Sequence, residues 1–373
     1  MAKFKWSPLV LSLLLLTGCW DQRQFKNVKL VLAAGIDAAD EGQVESTVVI
    51  TNVQSSSEGP GTEQTQIISA AGHSPLNTRT NIDQKISKRY DQSKLHVLLL
   101  GEELAKQDIY PSLDMFYRDP KSNLHAQLAV VGGKVKDALS LSVSGEPRIS
   151  EYITGMLTGE RRSTHLPNTN IQLICSELLE HGQDFVLPYL VVNQEESVLE
   201  YRGLALFSGQ SYSGRYLPAE KAVLFLLMKG IRGADAQMTR KIGGDDHPDV
   251  NDFITVDVKE IHRKLSFDTK GSLPKVEMKL KMEADVLEYP PNHLQSAKKI
   301  NELEKRIEKD LTKEAKEIIG LLQETNSDAF GLGRRLQAYH PKVWKKLNWN
   351  EEYADIEIDP TITFEIQSHG ITN

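Results

Sequence analysis

The sequence predicts an α+β fold: a lipid-anchored multidomain protein of mixed α/β domains, with largely antiparallel sheets and a long helix in the C-terminal half. Three observations predict it. A short apolar run near the N-terminus ends in a cysteine, strand and helix patterns alternate through the first half, and period-two strands precede one long helical pattern in the second. With 373 residues, 40% hydrophobic and 25% charged, the chain is long enough for two or three globular domains.

The N-terminus has the order of a lipoprotein signal. Residues 8–16 form an apolar run too short to span a bilayer, which takes about 20 residues. The run ends in Leu16-Thr17-Gly18-Cys19, the lipobox order of an aliphatic residue, two small residues and a cysteine. We therefore expect cleavage between Gly18 and Cys19 and acylation of the Cys19 thiol. An ordinary signal peptide with a chance cysteine is the alternative.

A lipid on Cys19 would decide where the protein is located. Each buried methylene contributes ~0.8 kcal/mol, so two acyl chains should hold a protein on a membrane almost permanently. No other segment has 18 consecutive apolar residues. We expect the mature chain to be attached to the outer face of a membrane without crossing it.

Charge and cysteine content restrict the partners. Removal of Lys3 and Lys5 leaves 42 basic residues against 51 acidic ones, a formal charge of −9. This balance disfavours nucleic acid and anionic lipid surfaces as partners of the body. Cys175 is the only other cysteine, so no intramolecular disulfide is expected. It lies in an apolar helical run, which favours a small hydrophobe over a reactive thiol.

The first half alternates strands and helices, typical of helices over a sheet. Strands are expected at 28–36, 44–53, 95–100, 124–131 and 185–192, and helices at 81–89, 102–106, 109–117, 135–141, 149–157 and 171–179. The polar stretch 55–66 is expected to be a flexible loop. The unbroken apolar run at 95–100 indicates burial on both faces.

The second half has clearer patterns. Strands are expected at 201–208, 254–267, 276–286 and 356–366, and helices at 218–229, 292–324 and 329–346, the last interrupted at Pro341. Segments 209–214 and 230–252 are expected to be a turn and a weakly ordered loop. Apolar parity switches within 254–267, which indicates a β-bulge, and Pro360 indicates an edge strand. Trp344 is expected in the core, with partner binding as the alternative.

These patterns divide the chain. We expect a signal peptide at 1–18, an N-terminal mixed α/β region at 19–197 with a further break near 145, and a C-terminal α+β domain at 198–373. The polar segment 193–197 supplies the boundary.

No motif indicates catalysis. The sequence has no His-Glu-x-x-His, no phosphate loop and no Gly-x-Ser-x-Gly elbow. None of the ten histidines lies within four residues of another. Gly331-Leu332-Gly333 is half of a dinucleotide fingerprint and is better explained as a helix start. Asp245-Asp246-His247 with Asp249 would suit a cation, but a solvated acidic turn is favoured. We expect no enzyme activity, cofactor or metal.

Several motifs in order resemble one family. They are Gly18-Cys19-Trp20-Asp21, Gly101-Glu102-Glu103-Leu104-Ala105, Gly203-Leu204-Ala205-Leu206-Phe207 with Gly214, and Phe330-Gly331-Leu332-Gly333 through Tyr339-His340-Pro341-Lys342-Val343-Trp344 to Trp349. From the first motif to the last, the resemblance extends over nearly the whole mature chain. The chain resembles the Ger(x)C spore germination lipoproteins.

The resemblance implies the non-enzymatic C subunit of a nutrient germinant receptor, working beside two integral-membrane subunits at the spore inner membrane. It leaves open which nutrient is sensed and whether this subunit binds it. The alternative is a solute-binding lipoprotein of a membrane transporter, whose two lobes would be similar, whereas the two halves here differ. A lipid-anchored hydrolase is the third possibility, since this chain has no nucleophile motif.

Overall fold

The structure, a computed structural model, describes residues 28–56, 59–243, 249–291, 294 and 296–368. Within 52–64 it describes the backbone alone. The strands are β1 (Val28–Ala38), β2 (Val44–Ser56), β3 (Gly59–Gly72), β4 (Arg89–Asp91), β5 (Val97–Gly101), β6 (Gln127–Gly132), β7 (Val186–Asn193), β8 (Val198–Ser208), β9 (Ser211–Pro218), β10 (Gln237–Lys241), β11 (Phe253–Asp268), β12 (Lys275–Glu288) and β13 (Glu357–Ser368). The helices are α1 (Pro75–Asp83), α2 (Glu102–Ala105), α3 (Tyr110–Arg118), α4 (Val135–Leu139), α5 (Ile149–Arg162), α6 (Ile171–Leu178), α7 (Ala219–Lys229), α8 (Ala297–Glu324), α9 (Leu332–Tyr339), α10 (Pro341–Trp344) and α11 (Trp349–Glu352). The α+β class is confirmed.

The large sheet has a parallel centre and antiparallel flanks. Its order is β3-β2-β1-β5-β6-β7-β8-β9, with β4 paired to β1. Strands β1, β5, β6 and β7 run parallel, whereas β2, β3, β8 and β9 pair antiparallel. Helices cover both faces, so Val97 to Leu100 are completely buried, as their apolar run predicts.

The pairing continues across the predicted domain boundary. Strands β7 and β8 form a hairpin in which Asn193 pairs with Val198. Residues after 197 therefore complete the large sheet before the chain enters the small one. The division at 197 itself stays a prediction.

The small sheet has the order β10-β11-β12-β13 and shares one apolar core with a face of the large sheet. Its register shifts between Val258 and Glu260, so the predicted bulge is confirmed. Strand β13 runs parallel to β12 at the sheet edge, as Pro360 predicts.

The long helix α8 covers this sheet. Its buried stripe steps by three or four residues through Leu303, Ile307, Leu311, Ala315, Ile318 and Leu322. Its other flank reaches the open edge of β13: Glu308 accepts the backbone N–H of Phe364 at 3.0 Å, and Glu304 accepts that of Ile366 at 2.9 Å. These carboxylates occupy the hydrogen-bonding positions that an edge strand otherwise offers to another chain. The helix begins at Ala297, five residues after the predicted start at 292, because the backbone of Ser296 is still extended.

Four expectations are wrong in detail. The predicted loop 55–66 falls largely in β3, which pairs with β2. The predicted turn 209–214 contains the start of β9, and the predicted loop 230–252 contains β10. The predicted helix 81–89 lies earlier, as α1, because Ser74 caps it by accepting the N–H of Asn77. The strands that were not predicted are the edge strands β3, β9 and β10 and the three-residue strand β4, which pairs with β1.

Candidate functional site

The motif Phe330-Gly331-Leu332-Gly333 lies where the C-terminal helices meet the large sheet. Gly331 adopts φ +67° immediately before α9, so the predicted helix start is confirmed. The facing loop contains Gly182 at φ +79°. A Cβ on Gly182 would lie 2.7 Å from Trp344 Cη2 and 2.8 Å from the carbonyl carbon of Gly333. Only glycine fits this close approach of two backbones.

Asp328 holds the start of α9. Its Oδ1 accepts the N–H of Leu332 at 2.9 Å, and its Oδ2 accepts the N–H of Gly333 at 2.8 Å. The same Oδ2 accepts the indole N–H of Trp349 at 3.1 Å. The side chain is completely enclosed, so one carboxylate satisfies three buried donors that would otherwise lack partners.

Asp184, just before β7, joins this cluster to the sheet. Its Oδ2 accepts the N–H of Asp328 at 2.7 Å, and its Oδ1 accepts that of Gly209, in the β8–β9 turn, at 2.7 Å. Its own N–H donates to the carbonyl of Asp328 at 3.0 Å. We call Asp184 and Asp328 the carboxylate pair.

Burial shifts the protonation of the pair. It raises the pKa of Asp184 to about 6 and that of Asp328 to about 7, although the N–H donors act in the opposite direction. Burial also lowers the pKa of the nearby Lys229, against the attraction of Glu177, Asp328 and Asp184. The two carboxyl groups of the pair therefore titrate near neutral pH, where ordinary aspartates are already ionised.

A cavity of about 150 Å³ opens beside the pair, lined also by Ser208, Asn326, Asn350 and Tyr353. The Tyr353 hydroxyl is buried and has no hydrogen-bond partner among the described residues. None of the cavity's described lining residues is a histidine, cysteine or lysine, so they offer no nucleophile with an adjacent histidine base. Across the part of the chain that the structure describes, no three acidic, histidine or cysteine side chains group to hold a metal.

The residues singled out in the sequence lie elsewhere. Gly18 and Cys19 fall outside the described residues, as do Asp245-Asp246-His247. Asp249 caps a short turn, where it accepts the N–H of Asn251 at 3.1 Å. Cys175 is half-buried on α6.

Trp344, which was expected in the core, packs against the edge of the core. Trp344 is half-buried and packs on Trp349 with ring centroids 5.7 Å apart. Trp349 is the enclosed one, only 5% exposed. Sequence reasoning did not single out the carboxylate pair. The available signal was an aspartate two residues before a Phe-Gly-Leu-Gly turn and another two residues after a glycine.

Two family models match the chain. "Spore germination protein N-terminal domain" matches residues 21–192, and "Spore germination B3/ GerAC like, C-terminal" matches residues 202–370. The chain is similar to spore germination protein GerQC of Bacillus cereus, with 24% identity covering 99% of both chains. It is also similar to spore germination protein KC of Bacillus subtilis (strain 168), with 22% identity covering 98% of this chain and 95% of the relative. The crystal structure of the GerBC protein shares the fold, with a TM-score of 0.58 and 20% identity over 93% of this chain and 100% of that one.

Proposed function

We propose that this chain, which belongs to the Ger(x)C family of spore germination proteins, is a lipid-anchored, non-enzymatic subunit of a nutrient germinant receptor. The proposal rests on how much of the chain the two family models match. The two family matches extend from residue 21 to residue 370, and the first begins directly after Cys19 and its neighbour. Both regions of the family are thus present in this chain, downstream of the predicted lipobox.

The anchor fixes the location in this proposal. The lipid on Cys19 holds the body at the outer face of the cell membrane, and in the spore at the inner membrane. In support, no helix within the described residues is long and apolar enough to cross a bilayer. Two integral-membrane subunits of the same receptor are the partners, and nucleic acid is not.

The site supports a mechanical role over a chemical one. Each oxygen of the carboxylate pair accepts a backbone N–H, so the pair joins the large sheet to the C-terminal helices. A joint of this kind fixes the C-terminal helices to the large sheet. It suits a subunit that couples a nutrient signal to its membrane partners.

Deletion of the gene in a sporulating strain tests the proposal. We expect spores of normal number and appearance that fail to lose refractility with one nutrient class, yet still germinate with external calcium dipicolinate. Paralogous receptors should be removed in the same strain so that redundancy does not hide the defect. Equal germination with and without the gene would refute the proposal, and impaired solute uptake by growing cells would point to a transporter lipoprotein.

A further inference from the structure

The long helix α8 presents a row of lysines to solvent. Lys298, Lys305, Lys309, Lys313 and Lys316 are all exposed. At 3.6 residues per turn they fall within an arc of about 80°, opposite the buried stripe. We call these five residues the lysine row.

The acidic residues of α8 mostly point elsewhere. Glu304 and Glu308 accept backbone N–H groups of β13. Glu314 pairs with Arg240 of β10, and Glu317 pairs with Lys221 of α7 at 2.8 Å. The helix therefore uses its negative charges on its flanks, against the body, and Glu302 is the acidic residue left within the arc of the lysine row.

The lysine row has few ion-pair partners. Among the residues whose placement is described, Lys313 lies 3.9 Å from Glu317, and no acidic oxygen lies within 4 Å of Lys298, Lys305, Lys309 or Lys316. Like charges four residues apart, such as Lys305 and Lys309, destabilise a helix. A helix face that is only solvated would be more stable with alternating positive and negative side chains. The outer face of β12 has this arrangement, and there Lys279 pairs with Glu277.

We propose that the lysine row docks the body on the anionic headgroups of the membrane that carries the Cys19 lipid. The proposal rests on the proposed function for that anchor. Charge complementarity supports the proposal, and the tether keeps the body near the membrane, because residues 20–27 between the lipid and β1 span at most about 29 Å. The net charge of −9 disfavoured such a surface, but the structure separates the charges so that one face of α8 is basic.

Docking holds α8 flat and fixes the orientation of the body. Screening limits the attraction to about 8 Å at physiological salt, so lysines act only when the helix lies on the surface. Each lysine near an anionic surface raises the docked population roughly five-fold. Five aligned lysines make one orientation strongly preferred.

Amine footprinting of the lipidated full-length mature protein in vesicles tests the proposal. Vesicles of phosphatidylglycerol and phosphatidylcholine are compared with phosphatidylcholine alone, using acetylation and mass spectrometry. We expect acetylation of the lysine row to fall at least ~5-fold in the anionic vesicles and to recover in about 1 M salt, where the screening length is about 3 Å. Equal acetylation in both vesicle types, or protection that salt does not reverse, would overturn the proposal.

A matched pair of variants separates the row from the overall charge. Lys305→Gln, Lys309→Gln, Lys313→Gln and Lys316→Gln together should abolish the protection of Lys298, which remains as reporter. The control set should leave the protection of Lys298 unchanged. It carries four substitutions at exposed positions outside α8: Lys88→Gln, Lys136→Gln, Lys264→Gln and Lys270→Gln. Loss of protection in both sets would contradict a local docking face. Flotation on neutral vesicles reports the lipid alone, so a failed anchor is distinguished from a failed lysine row.

Discussion

The indole N–H of Trp349 donates to Oδ2 of Asp328 at 3.1 Å, and the same oxygen accepts the N–H of Gly333. One atom thus connects the start of α9 with the start of α11. Since Asp184 binds the backbone of Asp328, the connection extends to the large sheet. The C-terminal helices are attached to the sheet through a few buried polar contacts as well as through apolar packing.

Trp349→Ala should lower the free energy of unfolding by about 3–5 kcal/mol, because it removes a buried aromatic ring and leaves a cavity. It also removes a donor to Asp328. Trp344→Ala, at the half-buried neighbour, should have a smaller effect. Urea denaturation followed by circular dichroism compares the two, and a larger effect at Trp344 would contradict the burial order in the structure.

Stability should fall as pH rises from about 4 to about 7. Folding raises the pKa of Asp184 to about 6 and that of Asp328 to about 7, so the folded chain binds more protons than the unfolded chain in this window. The free energy of unfolding then decreases with pH. Glu177 and Asp37, whose pKa values are also raised by burial, act in the same direction.

Asp328→Asn isolates one group in that titration. The amide cannot ionise, so the slope of unfolding free energy against pH should lose up to about 1.4 kcal/mol per pH unit. Asp359→Asn, at an exposed position of β13, is the control. An unchanged slope in Asp328→Asn would show that this carboxyl titrates outside the window.

Removal of the carboxylates that cover β13 should expose its edge. Glu304→Ala with Glu308→Ala should lower the free energy of unfolding by about 1–3 kcal/mol, because two edge N–H groups lose their acceptors. An uncovered edge also pairs with other chains, so sedimentation should detect concentration-dependent association. Glu302→Ala, on the exposed face of the same helix, should do neither, and association of that control would indicate a charge effect instead.

Cys19→Ala should leave the precursor without lipid, because the thiol is the acylated group in a lipobox signal. Metabolic labelling with a clickable fatty acid provides the measurement. The wild-type chain should carry label and fractionate with membranes. Label retained by the alanine variant would contradict the assignment of Leu16-Thr17-Gly18-Cys19.

Much of the fold can be predicted from the spacing of apolar residues, because that spacing reflects which side chains are buried. Leu98 and its neighbours are apolar on both faces because helices cover both, and the parity switch in β11 reflects a real bulge. Strands β3, β4, β9 and β10 were not predicted. Exposed polar residues such as Gln66 in β3 and Thr239 in β10 interrupt the apolar pattern, and the pairing of these strands is set by their neighbours, which local sequence does not encode.

The carboxylate pair was beyond sequence reasoning for a different reason. Asp184 and Asp328 lie in polar, glycine-containing segments that resemble ordinary loops. Their significance comes from burial and from donors on other elements, such as Gly209 and Trp349. Gly331 was interpreted correctly as a helix start, but a local motif does not reveal which loop packs against it.

The carboxylate pair also has a consequence for how the chain matures. Asp184 accepts the N–H of Asp328, which lies 144 residues further along the chain. The loop before β7 therefore cannot reach its final structure until nearly all of the polypeptide has been synthesised. Contacts of such separation form late and leave apolar surface uncovered meanwhile. A product that terminates before Asp328 would therefore keep apolar surface uncovered and would be prone to aggregation and proteolysis.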